Sequence, residues 1–432
     1  MKSHHPKRIV IVDGYSTGRE LVRELNSRGV SCLHLQSSAQ IPALAAKCFD
    51  VSPYERDLGY LGPVNEAVAA LATVQPDAVV AGSEWGVTFA EFVAQCLDLP
   101  TNRIETISAR RNKFDMIEAL RVRGLRVADQ APVNSAQEAH IWAVLHGKWP
   151  VVVKPALSAG SDGVVICNDH ADIDHAFEQA LYRENLMGCF NDHLVIQSYL
   201  SGPQFIVNTV SHGGRHCVTD AWHVDYRTVP GGSIAAGSMT LLDPAHPVSR
   251  ELMAYTLAAV SALGIENGAA HSELRMTPQG PALIEAGARL MGGMMDPESY
   301  RAAGLPTQAS RYADTLTMGA DEIDVLFGHG IYARRRHLAK LFFVFESAGE
   351  VSSAAGLAKL KTLPSFHAHY RGLAKGGQVW RTSDSLFCGG VVYLVHDDPA
   401  QIAADIQQFR AWDAAGRLYA VMPAIKEESL MS

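Results

Sequence analysis

The sequence predicts a mixed fold of α/β and α+β parts, and three observations support this prediction. Strand and helix patterns alternate through the first hundred residues, which is typical of a parallel sheet covered by helices on both faces. A Gly/Ser-rich loop, Ala156 to Gly163, joins two short apolar strands in the middle of the chain. The last hundred residues combine several strands with one helix, which is typical of an α+β lobe.

The N-terminal part is predicted to contain three strands and two helices. The strands are Arg8 to Val12, Ser31 to Leu35 and Ala78 to Ala81, and the helices are Arg19 to Ser27 and Val64 to Val74. The segment Asp13 to Gly18 lacks the glycine spacing of a dinucleotide fingerprint, and no acidic residue ends the second strand. A strand-to-helix turn that needs glycine is therefore the favoured interpretation of this segment.

Further elements are predicted along the rest of the chain. They are a helix at Ala109 to Arg123, strands at Trp149 to Pro155, Val164 to Asn168, Leu194 to Tyr199 and Gln204 to Val210, a hairpin around Thr277 to Gly280, strands near Leu341 to Phe345, Gln378 to Arg381 and Gly390 to Val395, and a helix at Pro399 to Trp412. The predicted domains are residues 1–110, residues 111–329 with a flap subdomain at about 125–196, and residues 330–432.

Composition excludes several classes of function. The 432 residues include 37 Lys and Arg against 45 Asp and Glu, a net charge of −8, which disfavours nucleic-acid binding. No run of 18 apolar residues predicts a membrane span, and the N-terminus lacks a hydrophobic signal core. The seven cysteines never form CxxC, which favours reduced thiols over disulfides or a zinc site. We therefore expect a cytoplasmic protein.

The clearest local signal is an acidic hairpin. If its turn centres on Gln279, Glu273 lies directly opposite Glu285, with Cβ atoms about 5 Å apart. Two facing carboxylates repel each other, but a divalent cation such as Mg²⁺ binds such oxygen ligands. The strand period places His271 and Arg275 on the same face as Glu273. A solvated hairpin whose charges never meet is the alternative interpretation.

Arg289 stands four residues after Glu285 and is followed by Gly292 and Gly293. A guanidinium at this point can bridge a phosphoryl group or clamp a substrate carboxylate, and glycines let the backbone approach a ligand closely. An ordinary surface salt bridge is the alternative for Arg289.

A second signal is Lys154 at the end of a strand, directly before the Gly/Ser-rich loop. Backbone N–H groups of such a loop can bind phosphate oxygens, and the lysine adds a point charge. The lysine precedes the loop and a strand follows it, so this is not a Walker loop, and the loop is predicted to be a mobile flap on a hairpin. The side chain of Asp162 is expected to point away from phosphate. A flexible surface turn is the alternative.

Taken in order, Lys113, Lys154 with its loop, the segment Gln197 to Gln204, and Glu273 with Glu285 and Arg289 resemble the ATP-grasp superfamily. The resemblance covers roughly residues 1–330, and the last hundred residues resemble the lobe that follows in biotin-carboxylase-like members. The resemblance implies an ATP-grasp fold: an N-terminal Rossmann-like parallel-sheet domain, a central nucleotide-binding domain with a mobile β-hairpin flap, and a C-terminal α+β lobe. The segment Ala81 to Val87 and the spacing from Glu285 to Arg289 are most similar to L-amino-acid ligases, although related carboxylate–amine ligases share them.

The resemblance also implies roles for single residues. ATP would bind with its phosphates on Lys113 and Lys154, its adenine on the segment that includes Gln197, Tyr199 and Leu200, and its ribose on Gln204. The flap residues Ser158, Gly160, Ser161 and Gly163 would fold over the phosphates, Glu273 and Glu285 would hold Mg²⁺ or Mn²⁺, and Glu285 and Arg289 would be catalytic. The family commonly has Glu at the place of Gln204 and Asn at the place of Gly287, so ribose binding and one metal ligand differ here.

The expected activity is ATP-dependent amide formation through an acyl phosphate, with amino-acid-like substrates. Candidate substrate contacts are Glu84, His271, Arg227, Gly292 and Gly293, and the loop His223 to Arg227 through Gly231 and Gly232 is expected to shape the pocket. Three alternatives stay open: loading of an amino acid onto a carrier-protein thiol, phosphoryl transfer with release of the phosphorylated product, and ATP sensing without catalysis. The sequence does not determine the oligomeric state, although ligases of the family it resembles are often dimers, and neither nucleic acid nor a membrane is an expected partner.

Overall fold

Short strands and helices alternate from the first described residue onward. The computed structural model describes residues 7–41, 43–46, 49–228, 234–382 and 389–423. The chain divides into two compact units, one comprising Met1–Ala221, Pro244–Gly293 and Thr307–Tyr332, and the other comprising Trp222–Asp243, Met294–Pro306 and Ala333–Ser432. The division into three domains stays a prediction.

A parallel sheet forms the N-terminal part of the first unit. Its elements are β1 (Arg8–Val12), α1 (Gly18–Ser27), β2 (Ser31–Gln36), α2 (Ala43–Ala46), β3 (Arg56–Tyr60), α3 (Val64–Val74), β4 (Ala78–Ala81) and α4 (Val87–Cys96). The strands lie in the order β3-β2-β1-β4 and all neighbours are parallel. This confirms the predicted parallel sheet. Strand β3 was not predicted, because its residues are largely exposed and lack an apolar pattern.

The loops after β1 and β4 contact each other through their glycines. A methyl carbon on Gly18 would lie 2.5 Å from the carbonyl oxygen of Gly82, and one on Gly82 would lie 2.6 Å from Cα of Gly14. A methyl carbon on Gly86 would lie 2.6 Å from the carbonyl oxygen of Val12. These glycines serve backbone packing, in agreement with the interpretation of Asp13 to Gly18 as a structural turn.

A second, antiparallel sheet belongs to the predicted flap region. After 3₁₀ turns at Ile104–Thr106 and Ser108–Arg110 come α5 (Lys113–Val122), β5 (Gln130–Val133), α6 (Ala136–His146), β6 (Val151–Pro155), β7 (Val165–Cys167), α7 (His170–Ala180) and β8 (Leu194–Ser198). The strand order is β5-β8-β6-β7. The sheet and its helices enclose an apolar core of their own, which includes Val153, Ile173 and Ile196.

Helix α5 begins later than predicted. The sequence pattern suggested Ala109 as the start, but the helix starts at Lys113. Asn112 is the N-cap, and its side-chain oxygen accepts hydrogen bonds from the backbone N–H groups of Phe114 and Asp115. Such a cap satisfies N–H groups that have no partner within the helix, and here it outweighs the apolar periodicity further upstream.

The next elements along the chain are divided between the two units. The strand at residues 234–241 and the helix at residues 297–303 belong to the second unit, and the boundary falls within the strand at residues 215–228. The chain continues through β9 (Gln204–His212), β10 (Arg215–Thr228), β11 (Ile234–Leu241), α8 (Pro247–Ala262), β12 (Gly268–Thr277), β13 (Gly280–Gly287), α9 (Pro297–Ala303), α10 (Gln308–Thr317) and α11 (Ala320–Gly328). Within the first unit the antiparallel order is β13-β12-β9, with α8 and α10 packed on it.

The second unit contains the C-terminal lobe. Its further elements are β14 (His337–Phe342), β15 (Gly349–Ser353), a 3₁₀ helix (Ala355–Thr362), β16 (Phe366–Tyr370), β17 (Gln378–Val379), β18 (Val391–His396), α12 (Pro399–Ala414) and β19 (Ala420–Pro423). Strands β11-β14-β18-β16 form an antiparallel sheet with α12 packed on it, and β17-β15-β19 form a small second sheet. The sequence missed β15, β16 and β19, which are short and lack a clear apolar pattern. No helix in the described part of the chain is long and apolar enough to cross a membrane.

Candidate active site

Two carboxylates face each other on neighbouring strands. Glu273 of β12 pairs with Glu285 of β13, as predicted. The turn and the register next to it differ from the prediction. The turn contains only Pro278 and Gln279, so that Thr277 pairs with Gly280. A β-bulge at Ile284 inserts one extra residue into β13 and brings Glu285 into line with Glu273. The acidic pair therefore depends on a bulge that the sequence pattern did not reveal.

Polar side chains fix both oxygens of Glu273. Gln204 Nε2 donates to Glu273 Oε2 at 2.8 Å, and His271 Nε2 lies 3.3 Å from Oε1. The other ring nitrogen of His271 lies 2.9 Å from Asn208 Oδ1. Burial alone would raise the pKa of Glu273, but His271, with the charges of Arg289 and Lys113, outweighs burial and holds this pKa below its usual value.

Lys113 connects the acidic pair to the flap. As the first residue of α5 it lies directly after the capping Asn112. Its Nζ donates to the carbonyl oxygen of Ser158 and lies 3.4 Å from Glu285 Oε2. The side chain is only 7% exposed, so its charge acts in a region from which most water is excluded.

Lys154 lies at the end of β6 and is 3% exposed. Its Nζ donates to Gln197 Oε1 at 3.0 Å, and Gln197 Nε2 donates to Gln130 Oε1 at 3.2 Å. Burial and, to a smaller extent, the charge of Lys113 lower the pKa of Lys154 to about 8, although the charge of Glu285 offsets part of the effect. Among the described residues this ammonium has one hydrogen-bond acceptor, a neutral amide, so it is well suited to an anionic ligand.

The Gly/Ser-rich loop caps the β6–β7 hairpin, as predicted. We call residues 156–164 the flap. Gly160, Ser161 and Gly163 have φ angles of +68°, +64° and +68°, which produces a tight backbone path. Ser158 Oγ donates to Asp162 Oδ2 at 2.8 Å. The same Asp162 oxygen accepts the backbone N–H of Leu186, so it is engaged within the flap region.

An ion cluster surrounds Glu84, in the loop after β4. Arg289 Nε donates to Glu84 Oε2 at 2.8 Å, and Arg111 Nη1 donates to Oε1. Burial would raise the pKa of Glu84, but the charges of Arg289 and Arg111 outweigh burial and lower this pKa to about 2. Arg289 thus forms a salt bridge, but the pair is largely buried and differs from the surface salt bridge that was the alternative interpretation. The sequence did not identify Arg111, which has no motif around it.

Glu84 also explains the glycine at position 287. A methyl carbon on Gly287 would lie 2.8 Å from Glu84 Oε2 and 3.3 Å from the Arg289 guanidinium. The carboxylate of Glu84 therefore occupies the space that a longer side chain at position 287 would need.

Other predicted site residues are less closely connected with the carboxylates, lysines and arginines described above. Tyr199 and Leu200 follow β8 and are half-buried, with the Arg275 guanidinium 5.8 Å from the Tyr199 ring centre. A methyl carbon on Gly292 would meet no atom within 4 Å, and one on Gly293 would meet only Met291 Cε, at 2.7 Å.

The predicted pocket loop from His223 to Arg227 is wrong as secondary structure. These residues belong to strand β10, which pairs with β11, since alternation of apolar and polar residues continues as far as Thr228. Arg227 lies in the second unit, where its guanidinium donates to Asp413 Oδ2 at 2.9 Å. Gly231 and Gly232 lie outside the described residues.

Comparison with known proteins places this geometry in a family. A family model for the ATP-grasp domain matches residues 147–298, which include Lys154, the flap, Glu273, Glu285 and Arg289. Dapdiamide A synthase from Enterobacter agglomerans is 31% identical over 413 residues, covering 94% of this chain and 96% of that protein. The chain belongs to the ATP-grasp carboxylate–amine ligases. The L-arginine-specific L-amino acid ligase of Bacillus subtilis is 23% identical over 50% of this chain and 52% of that protein.

The fold is similar to that of a solved ligase. The crystal structure of an L-amino acid ligase from Bacillus licheniformis has a TM-score of 0.73 and 18% identity, and the alignment covers 98% of this chain and 100% of that chain. This agreement confirms the fold expected from the sequence resemblance. The family model for the ATP-grasp domain does not include Glu84 or Lys113. The alignment with dapdiamide A synthase covers 94% of this chain and therefore extends beyond the residues that the family model matches.

Proposed function

We propose that the protein is an ADP-forming ligase that activates the carboxylate of an L-amino acid as an acyl phosphate and joins it to the amine of a second amino acid. The observation that carries this proposal is the grouping, within one compact unit, of two buried lysines, the flap and the facing carboxylates of Glu273 and Glu285. The full-length similarity to dapdiamide A synthase supports amide formation as the reaction class.

In the proposed nucleotide site, Lys113 and Lys154 bind the ATP phosphates. Lys113 donates to a carbonyl and forms an ion pair with Glu285, and Lys154 donates to an amide. The two neutral acceptors do not compete strongly with phosphate. The flap residues Ser158, Gly160, Ser161 and Gly163 cover the phosphates. The segment with Gln197, Tyr199 and Leu200 holds adenine and Gln204 meets the ribose, although the Gln204 amide also bonds Glu273.

Glu273 and Glu285 are proposed to hold Mg²⁺, for which Mn²⁺ can substitute. Within the described residues, no group of three or more His, Cys, Asp or Glu side chains forms a complete metal site. Two carboxylates nevertheless fit Mg²⁺, because it is often bound by one or two carboxylates together with substrate phosphates. When bound, the ion would neutralise phosphate charge as the phosphoryl group moves.

The proposed reaction then takes place in two steps. The substrate carboxylate attacks the γ-phosphorus, the bond to ADP breaks, and Lys154 and Arg289 stabilise the charge that develops on the oxygens. The amine next attacks the acyl carbon, the C–O bond to phosphate breaks, and the amine loses a proton. Both reactants must lie within one closed site, and the flap must exclude water from the acyl phosphate.

Substrate contacts are proposed from the residues around this centre. Glu84 is suited to an ammonium group and Arg289 to a carboxylate, although each now neutralises the other. His271, Gly292 and Gly293 complete the proposed set within the first unit, and the role of Arg227 stays a prediction from the sequence. The amino acids themselves are the proposed small-molecule partners, and we place the reaction in the cytoplasm and expect a homodimer.

A single assay separates this function from its alternatives. The protein is incubated with ATP, Mg²⁺ and pooled amino acids, and nucleotide products and amides are measured. ADP and phosphate formed only with amino acids, together with a dipeptide, support the ligase. AMP and pyrophosphate contradict it. ADP with a phosphorylated product favours a phosphotransferase, the absence of both turnover and amide favours a sensor, and turnover that needs an added thiol favours carrier loading.

Glu285→Gln tests the acidic pair. The variant keeps the side-chain shape but loses the charge on one of the two proposed metal-binding carboxylates, so we expect amino-acid-dependent ADP release to fall by about 10³-fold or more. The melting temperature should stay close to that of the wild type. The matched control is Glu178→Gln, an exposed residue of α7 far along the chain from the pair. Turnover retained in Glu285→Gln would remove Glu285 from the proposed metal site.

A further inference from the structure

A short hairpin of residues 182–191 follows α7 and contacts the flap. We call it the 182–191 hairpin. Backbone hydrogen bonds join its arms, from Tyr182 N–H to the Asn191 carbonyl at 2.8 Å and from Asn191 N–H to the Arg183 carbonyl at 2.9 Å. Asn185 N–H donates to the Cys189 carbonyl at 2.9 Å and closes the turn. No sequence motif marks this segment.

The side-chain amide of Asn185 has two separate tasks. Its Oδ1 accepts the backbone N–H groups of Met187 at 2.9 Å and Cys189 at 3.2 Å, which stabilises the turn. Its Nδ2 donates to the carbonyl oxygen of Leu157 at 2.6 Å and to Asn191 Oδ1 at 2.8 Å. The oxygen therefore stabilises the hairpin, and the nitrogen attaches the hairpin to the first part of the flap.

The other end of the flap is attached to the same hairpin. The backbone N–H of Leu186 donates to Asp162 Oδ2 at 2.8 Å. Between the two attachment points, the backbone N–H groups of Ala159, Gly160 and Ser161 donate no hydrogen bond within the described part of the chain. The hairpin thus holds the flap by its ends and leaves the donors of its tip available to a ligand.

We propose that Asn185 is a positioning residue that, through the Leu157 carbonyl, sets how closely the flap covers the nucleotide phosphates. The inference rests on the proposed function, because it needs phosphates under the flap. A flap released at one end would bind ATP less tightly and would admit water to the acyl phosphate. Water would then attack the acyl phosphate, giving back the acid and releasing phosphate, so that ATP is consumed without an amide bond being formed.

Asn185→Asp separates the two tasks of the amide. The variant keeps an oxygen that accepts the Met187 and Cys189 N–H groups, but it replaces the donor with an oxygen that repels the Leu157 carbonyl. We expect KM for ATP to rise about tenfold and the ADP formed per amide bond to rise at least about twofold, with a smaller change in kcat. Amide hydrogen exchange of the flap should be faster in the variant without ATP.

The matched control is Arg183→Gln, which changes the net charge by the same amount. Arg183 is exposed in the same hairpin, and its side chain makes no hydrogen bond within the described residues. This variant should keep the wild-type KM, the wild-type ratio of ADP to amide and the wild-type exchange rate. An equal effect of Arg183→Gln would attribute the result to charge and overturn the role of the Asn185 donor.

A second variant covers the case in which Asn185→Asp does not fold. Asp162→Ala releases the other end of the flap at a half-buried position, and the same uncoupling is expected. Unchanged flap exchange, KM and ADP-to-amide ratio in the folded variants would overturn the inference. The exchange measurement needs no turnover, so it tests Asn185 even if the wild type forms no amide, an outcome that would contradict the proposed function instead.

Discussion

At the residue scale, Glu84 determines the geometry around Arg289. Two arginines bind its carboxylate, and their charges keep it ionised in a largely buried position. Such a pair is costly to break, because removal of one partner leaves a buried charge without compensation. Arg289 is therefore held in place before any substrate arrives, which favours catalysis by groups that need no rearrangement.

Gly287→Ala is predicted to disturb this arrangement. The new methyl group would lie 2.8 Å from Glu84 Oε2, so the carboxylate has to shift and Arg289 with it. We expect a loss of about 1–3 kcal/mol in the free energy of unfolding and a fall of about tenfold or more in kcat/KM. Urea unfolding and amino-acid-dependent ADP release measure the two effects.

Gly292→Ala is the control for stability, because its methyl group meets no atom within 4 Å. Its free energy of unfolding should change by no more than about 0.5 kcal/mol. Equal stability of both alanine variants would show that Glu84 accommodates a side chain at position 287.

The site residues that were identified from the sequence lie within short recognisable sequence patterns, whereas the residues that were missed do not. Lys154 stands beside a Gly/Ser-rich loop, and Glu273 and Glu285 flank a short turn, so each lies in a pattern of a few residues. Arg111 and Asn185 act on partners distant along the chain, 27 residues away at Glu84 and 28 residues away at Leu157. Their surroundings in sequence carry no sign of these contacts, and only the fold brings them to their partners.

At the element scale, the β12–β13 hairpin shows that the pairing of Glu273 with Glu285 was predicted correctly from a turn that was predicted incorrectly. The alternation of apolar residues gave the strand pair, but the turn is shorter than expected and the bulge at Ile284 compensates for it. A bulge changes the register by one residue without changing composition, so periodicity alone does not detect it. The helix start at Lys113 was missed for a different reason, since a side-chain cap sets it.

Asn112→Ala is predicted to weaken α5 at the residue before Lys113. Loss of the two cap hydrogen bonds should cost about 1 kcal/mol in the free energy of unfolding. Because Lys113 is the first helical residue, KM for ATP should also rise. Asn112→Asp keeps the capping oxygen and should restore most of the stability. Denaturant unfolding of both variants provides the comparison, and an Asn112→Asp protein as unstable as Asn112→Ala would contradict the role of the cap.

At the whole-molecule scale, nucleotide binding and global stability are linked through Lys154. A ligand that binds only the folded state stabilises it by about 2.7 kcal/mol at a hundred times its Kd. The pKa of Lys154 is about 8 in the ligand-free protein, so above this pH the ammonium that binds phosphate becomes scarce. The dissociation constant for ATP should then rise by up to about tenfold per pH unit.

The expected measurement is the increase in unfolding free energy caused by Mg²⁺ and ATP, at fixed concentration, between pH 7 and pH 9.5. This increase should shrink above pH 8. Without ATP the sign is opposite: the unfolded chain holds the lysine proton up to its ordinary pKa of 10.5, so the contribution of Lys154 to stability grows from pH 8 upward. Lys154→Arg stays charged throughout, and its ATP effect should be independent of pH in this range. A pH-dependent ATP effect of wild-type size in Lys154→Arg would assign the dependence to another group.

The glycine contacts between the loops after β1 and β4 restrict how this enzyme can be altered. A methyl group on either Gly18 or Gly82 would collide with backbone of the opposite loop, and backbone cannot rotate out of the way as a side chain can. One of these loops carries Glu84. We therefore expect directed evolution toward a new amino-acid substrate to yield no active variant with a single substitution at Gly18 or Gly82. A change at either position would require both loops to be replaced together.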